Sequence, residues 1–305
     1  MGITHWLGFL LGRRDAIERA LGSNLLPLGL VFVASAALAR EYDAEFILHN
    51  PIVLAVPFVA SAAAAFLLFA MLWFAAGRKG WPGTESQQTP FAPGPDAPRA
   101  SFWPMFGRFL GTFWLTAPMA WLYGVPFEHM LPELEAAKAN LWMLGFVAIW
   151  RVAIMVRVAQ VMFGFSLWHA LVLVLFFGDL AVLGVVLFAP WPVMEIMGGV
   201  RGELDKMLSG VRFMLGFVGF IGFLLLLAPF NTAMFFPAGF PKLRATPQSL
   251  LSPQTNKPRL ALWAVAIGAL MAWAALLPFT QPPLENAPKR TSLLAIQNRK
   301  SAIEN

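Results

Sequence analysis

Cysteine is absent from the 305 residues, which removes disulfides, iron–sulfur clusters, thiolate zinc sites and cysteine nucleophiles. Charge is scarce as well: 12% of residues are charged, about half the roughly 25% usual in soluble domains. The opening Met1-Gly2-Ile3-Thr4-His5-Trp6 has no basic n-region and no small-residue cleavage site, so no removable signal peptide is expected there. Trp6 stands where N-myristoylation of Gly2 needs Ser or Thr. The metalloprotease H-E-x-x-H, the nucleophile elbow G-x-S-x-G and the P-loop are all missing from the sequence. No catalytic residue is therefore indicated, and neither cofactor nor metal is expected.

What the chain has in quantity is apolar sequence, 58% of its residues, gathered into runs long enough to cross a hydrocarbon core about 30 Å thick. Inside that core every backbone N–H and C=O must be paired within the chain, which helices achieve. The runs are too continuous for barrel strands, which alternate. The fold class expected is an all-α polytopic transmembrane helical bundle of about seven spans, six being the alternative, with no soluble domain. Hydropathy puts the spans near 24–39, 52–76, 106–124, 141–163, 168–189, 211–236 and 260–278.

Around these spans lie three other segments. Residues 1–23 mix Trp6, Leu7, Phe9, Leu10, Leu11 and Ile17 with Arg13, Arg14, Asp15, Glu18 and Arg19, the pattern of an amphipathic lead-in lying at the interface or of a solvated one. Residues 77–101 hold five prolines and four glycines and read as a flexible loop. Residues 279–305 form a polar tail.

Lys and Arg placement predicts orientation, because cytoplasmic loops carry the positive excess. Arg13, Arg14, Arg19, Arg78, Lys79, Arg99, Arg108, Lys242, Arg244, Lys257 and Arg259 fall on one side, and on the other only Arg40, Lys138, Arg201, Lys206 and Arg212, among Glu41, Asp43, Glu45, Glu128, Glu133, Glu135, Glu195, Glu203 and Asp205. The amino terminus is thus expected in the cytoplasm, the membrane being a plasma or bacterial inner membrane. A tail carrying Lys289, Arg290, Arg299 and Lys300 dissents; a six-span bundle would bring it inside.

Internal similarity runs through the middle of the chain. Met143-Leu144-Gly145-Phe146-Val147 recurs as Met214-Leu215-Gly216-Phe217-Val218, Glu133-Leu134-Glu135 resembles Glu203-Leu204-Asp205, and Leu115-Thr116-Ala117-Pro118 resembles Leu187-Phe188-Ala189-Pro190. The matches fall in order and describe two copies of one helical hairpin; a chain built from so few residue types also yields such matches by chance.

Ionisable groups inside a bilayer cost about 2.5 to 3.5 kcal/mol each on insertion scales and mark partners or function. Arg151 and Arg157 in the fourth span and Asp179 in the fifth are the candidates. Reflecting residue numbers about the turn at Gly164-Phe165-Ser166 brings Arg151 level with residue 180, which predicts an intramembrane Arg151–Asp179 ion pair. Arg157 is expected to snorkel beside Gln160. Glycines 216, 219 and 222, interleaved with Phe213, Phe217, Phe220 and Phe223, predict a small helix face for close approach by a neighbour. Trp103, Trp121, Tyr123, Trp142, Trp168 and Trp191 sit at span ends, where interfacial aromatics belong. Ser166 is placed to cap the fifth span. His49 and His129, with Asp43, Glu45, Glu128 and Glu133, share the outer side without a metal-ligand spacing, and His169 alone does not make a haem site.

Three functional classes remain. A non-enzymatic accessory or scaffold subunit of a membrane complex fits self-paired intramembrane charge; a small-solute or ion transporter would use Arg151 and Asp179; a membrane-embedded enzyme comes last. The partners expected are the lipid bilayer and other membrane subunits, and the basic loops need no nucleic acid to explain them.

Overall fold

The structure, a computed structural model, describes residues 1–41, 51–77, 101–188, 203–235 and 257–280. Its helices are α1 (Ile3–Leu10), α2 (Arg14–Leu21), α3 (Leu26–Glu41), α4 (Ala55–Gly77), α5 (Phe102–Trp114), α6 (Phe127–Met130), α7 (Glu133–Phe163), α8 (Leu167–Phe188), α9 (Glu203–Phe235) and α10 (Leu260–Thr280), with no β-strand among the described residues. Most of the 77–101 loop, and the tail beyond residue 280, lie outside them.

Five helices, α4, α7, α8, α9 and α10, are long and apolar enough to cross a membrane. The 16 residues of α3 cover about 24 Å, short of a core about 30 Å thick. At 31 and 33 residues, α7 and α9 reach roughly 46 to 50 Å. Their surplus is charged at the amino-terminal ends, where Lys138 bonds Glu135 at 2.8 Å and Lys206 meets Glu203 at 3.5 Å. The matched Glu133 and Glu203 each begin one of these two helices.

The third span, expected as one helix over 106–124, is two pieces. Helix α5 stops at Trp114 and a 3-10 helix continues over Ala117–Gly124. Pro118 causes the break: it has no N–H to offer and its ring would meet the carbonyl four residues back. Thr116 Oγ1 donates to Phe113 O at 2.7 Å and the Trp6 indole to Leu115 O at 3.4 Å, so side chains bond two of the carbonyls beside the break. Two further indoles hold the broken segment to its neighbours, Trp114 to Ser61 Oγ of α4 and Trp121 to Ser35 Oγ of α3. Trp121 is thus tied inside the bundle, whereas Trp103, Trp142 and Trp168 are exposed as interfacial aromatics are. Trp191 lies outside the described residues.

The lead-in is a helical hairpin rather than one surface helix. Gly12, at φ 69°, makes the left-handed turn between α1 and α2. Phe9, Ile17 and Leu21 are fully buried in the main core with Leu25, Leu28 and Phe32, and the Trp6 ring stacks on Phe32 at 5.7 Å. The far wall of that core is aromatic: Phe102, Phe106, Phe109 and Phe163 surround Phe69 with ring centres 5.1–5.9 Å away. Side chains of the bundle bond the open carbonyls at the ends of the two short helices, the Trp150 indole to Leu10 O at 2.8 Å and Arg108 to Leu21 O at 3.4 Å.

Helix α7 ends on Gly164, at φ 68°, and Ser166 Oγ accepts the His169 N–H at 3.3 Å, the cap its position suggests. From there α8 packs most extensively on α9, antiparallel, with Val186, Leu183 and Asp179 set against Gly216, Gly219 and Gly222. The glycine face is used as expected, and Phe213, Phe217 and Phe220 are left exposed.

Replacing Trp150 by Phe keeps the ring but leaves Leu10 O without its donor, at a cost of about 1 to 2 kcal/mol. Trp142→Phe, at a position 81% exposed, is expected to change stability by less than about 0.5 kcal/mol. Melting temperatures of the two variants in detergent check the difference; equal shifts would mean that the indole bond does not hold the hairpin.

Candidate functional site

The ion pair expected between Arg151 and Asp179 is not formed. Asp179 faces α9: its Oδ1 lies 3.0 Å from the point a Cβ on Gly222 would occupy and 3.6 Å from the equivalent point on Gly219. Its Oδ2 is buried with no hydrogen-bond partner among the described residues. Arg151 faces α5 instead, with its guanidinium carbon 5.2 Å from the centre of the Phe113 ring, a cation–π contact, and with Tyr123 near it. Reflection about the short turn sets two residues at one depth but leaves their direction around each helix axis free. Asp179 shares a face of α8 with Leu183 and Val186, and all three are turned onto α9. Among the described residues, an acid without a cation and a cation without an acid are therefore held on separate sides of the α7–α8 hairpin.

Arg157 and Gln160 are brought together. The Arg157 guanidinium donates to Gln160 Oε1 at 2.7 Å and through Nε to Gly12 O at 3.3 Å. Its role is therefore wider than snorkelling, since Gly12 O is a carbonyl at the turn between α1 and α2. Trp150 and Arg157 lie two turns apart on α7 and clamp both sides of that turn. Sequence reasoning placed Arg108 with the cytoplasmic loop charges; it is only 8% exposed, inside α5, and bonds the end of α2. Its position between Phe106 and Phe109, in a run otherwise apolar, was the available signal.

A second polar region lies where α1, α2 and the head of α10 meet. Arg259 N–H donates to Met1 O at 2.8 Å, and the Arg259 side chain covers Gly2. Thr4, His5, Gly8, Arg13, Asp15 and Ala16 line a cleft of about 120 Å³ between α1 and α2. Arg13 meets Asp15 at 3.4 Å and Arg14 meets Glu18 at 2.7 Å, whereas Arg19 and Arg259 have no acid partner among the described residues. His5 is held below its ordinary 6.5 by burial first, then by Arg19, the amino terminus and Arg259, with Asp15 opposing. Among the described residues no three His, Cys, Asp or Glu side chains gather as metal ligands. Of the outer-side set, Asp43, Glu45 and His49 lie outside the described residues.

Two outcomes follow from these geometries. In a double-mutant cycle on melting free energy, Arg151→Leu and Asp179→Asn should add to within about 0.5 kcal/mol, as separated sites do; a larger coupling would mean that the two charges do interact. A histidine with a lowered folded-state value favours its neutral form, so its contribution is complete above 6.5 and is lost as pH falls from there toward the folded value. Stability should fall on acidification below 6.5, and His5→Gln should flatten that limb; an unchanged profile would remove His5 as the cause. The chain matches no family model, no curated protein and no solved structure, so these contacts alone carry its functional reading.

Proposed function

We propose that this protein is a multi-pass membrane protein of seven spans with its amino terminus in the cytoplasm, serving as a non-enzymatic accessory or scaffold subunit of a membrane complex. The observation that carries the reading is the use made of polar side chains inside the bundle. Arg108, Trp150 and Arg157 bond carbonyls at the ends of α1 and α2, and Arg212 of α9 bonds Val186 O near the end of α8 at 3.4 Å. Such groups tie helices together instead of converging on a space where a substrate would sit. The exposed phenylalanine face of α9 suits either lipid or a neighbouring subunit.

Seven spans require α3 and the broken α5 segment to cross alongside the five long helices. Support comes from direction: Leu277, near the end of α10, meets Leu38, near the end of α3, as in first and last spans of an odd-numbered bundle. The broken segment follows the rule that irregular backbone is tolerated at membrane depth where protein covers it. The amino-terminal orientation rests on the charge asymmetry.

Transport is the second reading, favoured by the Asp179 carboxyl, whose Oδ2 has no partner between α8 and α9. Affinity purification in native lipid separates the two: stoichiometric partners are expected, and a chain that emerges alone would overturn the subunit reading. A reporter fused ahead of Met1 should read cytoplasmic and one inserted at Glu133 external; the same side for both would overturn the topology. A variant Asp179→Asn that keeps its melting temperature but loses cellular function would put transport first.

A further inference from the structure

We propose that Arg19, Arg259 and His5 form a binding site for a phosphate group, filled by the headgroup of an anionic membrane lipid. The inference rests on the membrane placement of α10 and not on the accessory role.

The charge balance of the hairpin points to it. Four arginines lie on or beside α2, and three of them differ sharply from the fourth only in their surroundings: Arg13 is matched by Asp15, Arg14 by Glu18, and Arg157 of α7 is used on Gly12 O and Gln160. Arg19 is left over. So is Arg259, which arrives from the opposite end of the chain and is fixed beside α1 by its own backbone bond to Met1 O and by the packing of its stem on Gly2. Across the hairpin Gly8 of α1 packs on Ala16 of α2; His5 precedes Gly8 by three residues and Arg19 follows Ala16 by three, which sets the two level, and Gly2, against which Arg259 lies, is three residues beyond His5. Asp15, the nearest acid, is engaged by Arg13. Two unneutralised guanidiniums and an imidazole gathered at this end of the hairpin supply the N–H donors that phosphate oxygens accept, in the case of arginine as a fork.

The surroundings select the source of the phosphate. Arg259 directly precedes Leu260, the first residue of a helix long and apolar enough to span, so its guanidinium stands at the level where lipid headgroups lie. Helix α1 exposes Ile3 and Leu7, and Leu11 at its end continues the stripe, while Trp6 and Phe9 face the core. That stripe is an apolar surface for acyl chains beside a cationic one for the headgroup. A soluble phosphate compound would have no use for it.

The experiment uses the full-length protein in bilayer discs of phosphatidylcholine, alone or doped with phosphatidic acid, with retained lipid counted by native mass spectrometry after release into detergent. Wild type should retain phosphatidic acid over phosphatidylcholine. Arg19→Gln with Arg259→Gln should weaken retention about thirtyfold, at roughly fivefold per arginine near an anionic surface. Arg13→Gln with Arg14→Gln removes the same net charge from the acid-paired positions and should leave retention nearly unchanged. Equal weakening by both pairs would mean diffuse surface charge and would overturn the site, as would no weakening by either. Should the glutamine pair fail to fold, Arg19→Lys with Arg259→Lys keeps charge and stem; retention close to wild type supports the site, and complete loss in a folded protein overturns it. Inorganic phosphate is the control for source: if it raises the melting temperature in an Arg19- and Arg259-dependent way while phosphatidic acid is not retained, the lipid assignment is wrong. A chain that stays in the aqueous phase without detergent would remove the membrane placement itself, an outcome distinct from all of these.

Discussion

A backbone carbonyl left open inside an apolar bundle has no water to turn to, and this constraint explains most of the polar chemistry in the molecule. Long helices bond their own carbonyls along their length, so the difficulty arises at ends and breaks. This chain has an unusual share of both near its amino terminus: two eight-residue helices, a left-handed turn and an α-helix interrupted at Pro118. Four carbonyls at these places are met by side-chain donors from elsewhere in the chain. Trp6 serves Leu115, Trp150 serves Leu10, Arg157 serves Gly12 and Arg108 serves Leu21. Indole and guanidinium suit the task because each carries donors at the end of a long body that packs as apolar surface.

The same constraint divides the molecule into two kinds of packing. Around α1, α2, α3, α5 and the carboxyl-terminal half of α7 the core is dense and aromatic, with donors placed among the rings. The α8–α9 pair is built differently, on glycines that let the helices approach closely and on the stacked Phe176, Phe223 and Phe230. In the last turns of α9, Asn231 and Thr232 bond back with their side chains to the carbonyls of Leu227 and Ala228, four residues earlier. Those bonds are local, whereas the bonds at the ends of α1 and α2 reach across the fold.

Features with a period or a local chemistry were legible in the sequence. The glycine face of α9 repeats every three residues beside bulky phenylalanines, and α8 lies on it. Ser166, two residues after Gly164 and between two apolar runs, reads as a cap, and it is one. Hydropathy averages over Pro118, so the break in α5 escaped an argument from mean hydropathy although the proline was in plain view. The Arg151–Asp179 pairing failed for a different reason: numbering along an antiparallel hairpin carries depth but not azimuth, and the azimuth is set by which helix each face finds, α5 for one and α9 for the other. Contacts such as Trp150 with Leu10 join residues with no local relation, and no pattern in the chain announces them.

The pairing of α3 with α10 sets a clock on biosynthesis. These two helices pack closely, yet α3 ends at Glu41 and α10 begins only at Leu260. At roughly 5 to 20 residues per second, about 10 to 45 s pass between the last residue of α3 and the first of α10. During that interval a 16-residue apolar helix, short for the bilayer and lacking its neighbour, has to be sheltered by the translocation machinery, by a chaperone or by early contact with α5. A chain terminated ahead of α10 would stay in that state for good and present it to quality control.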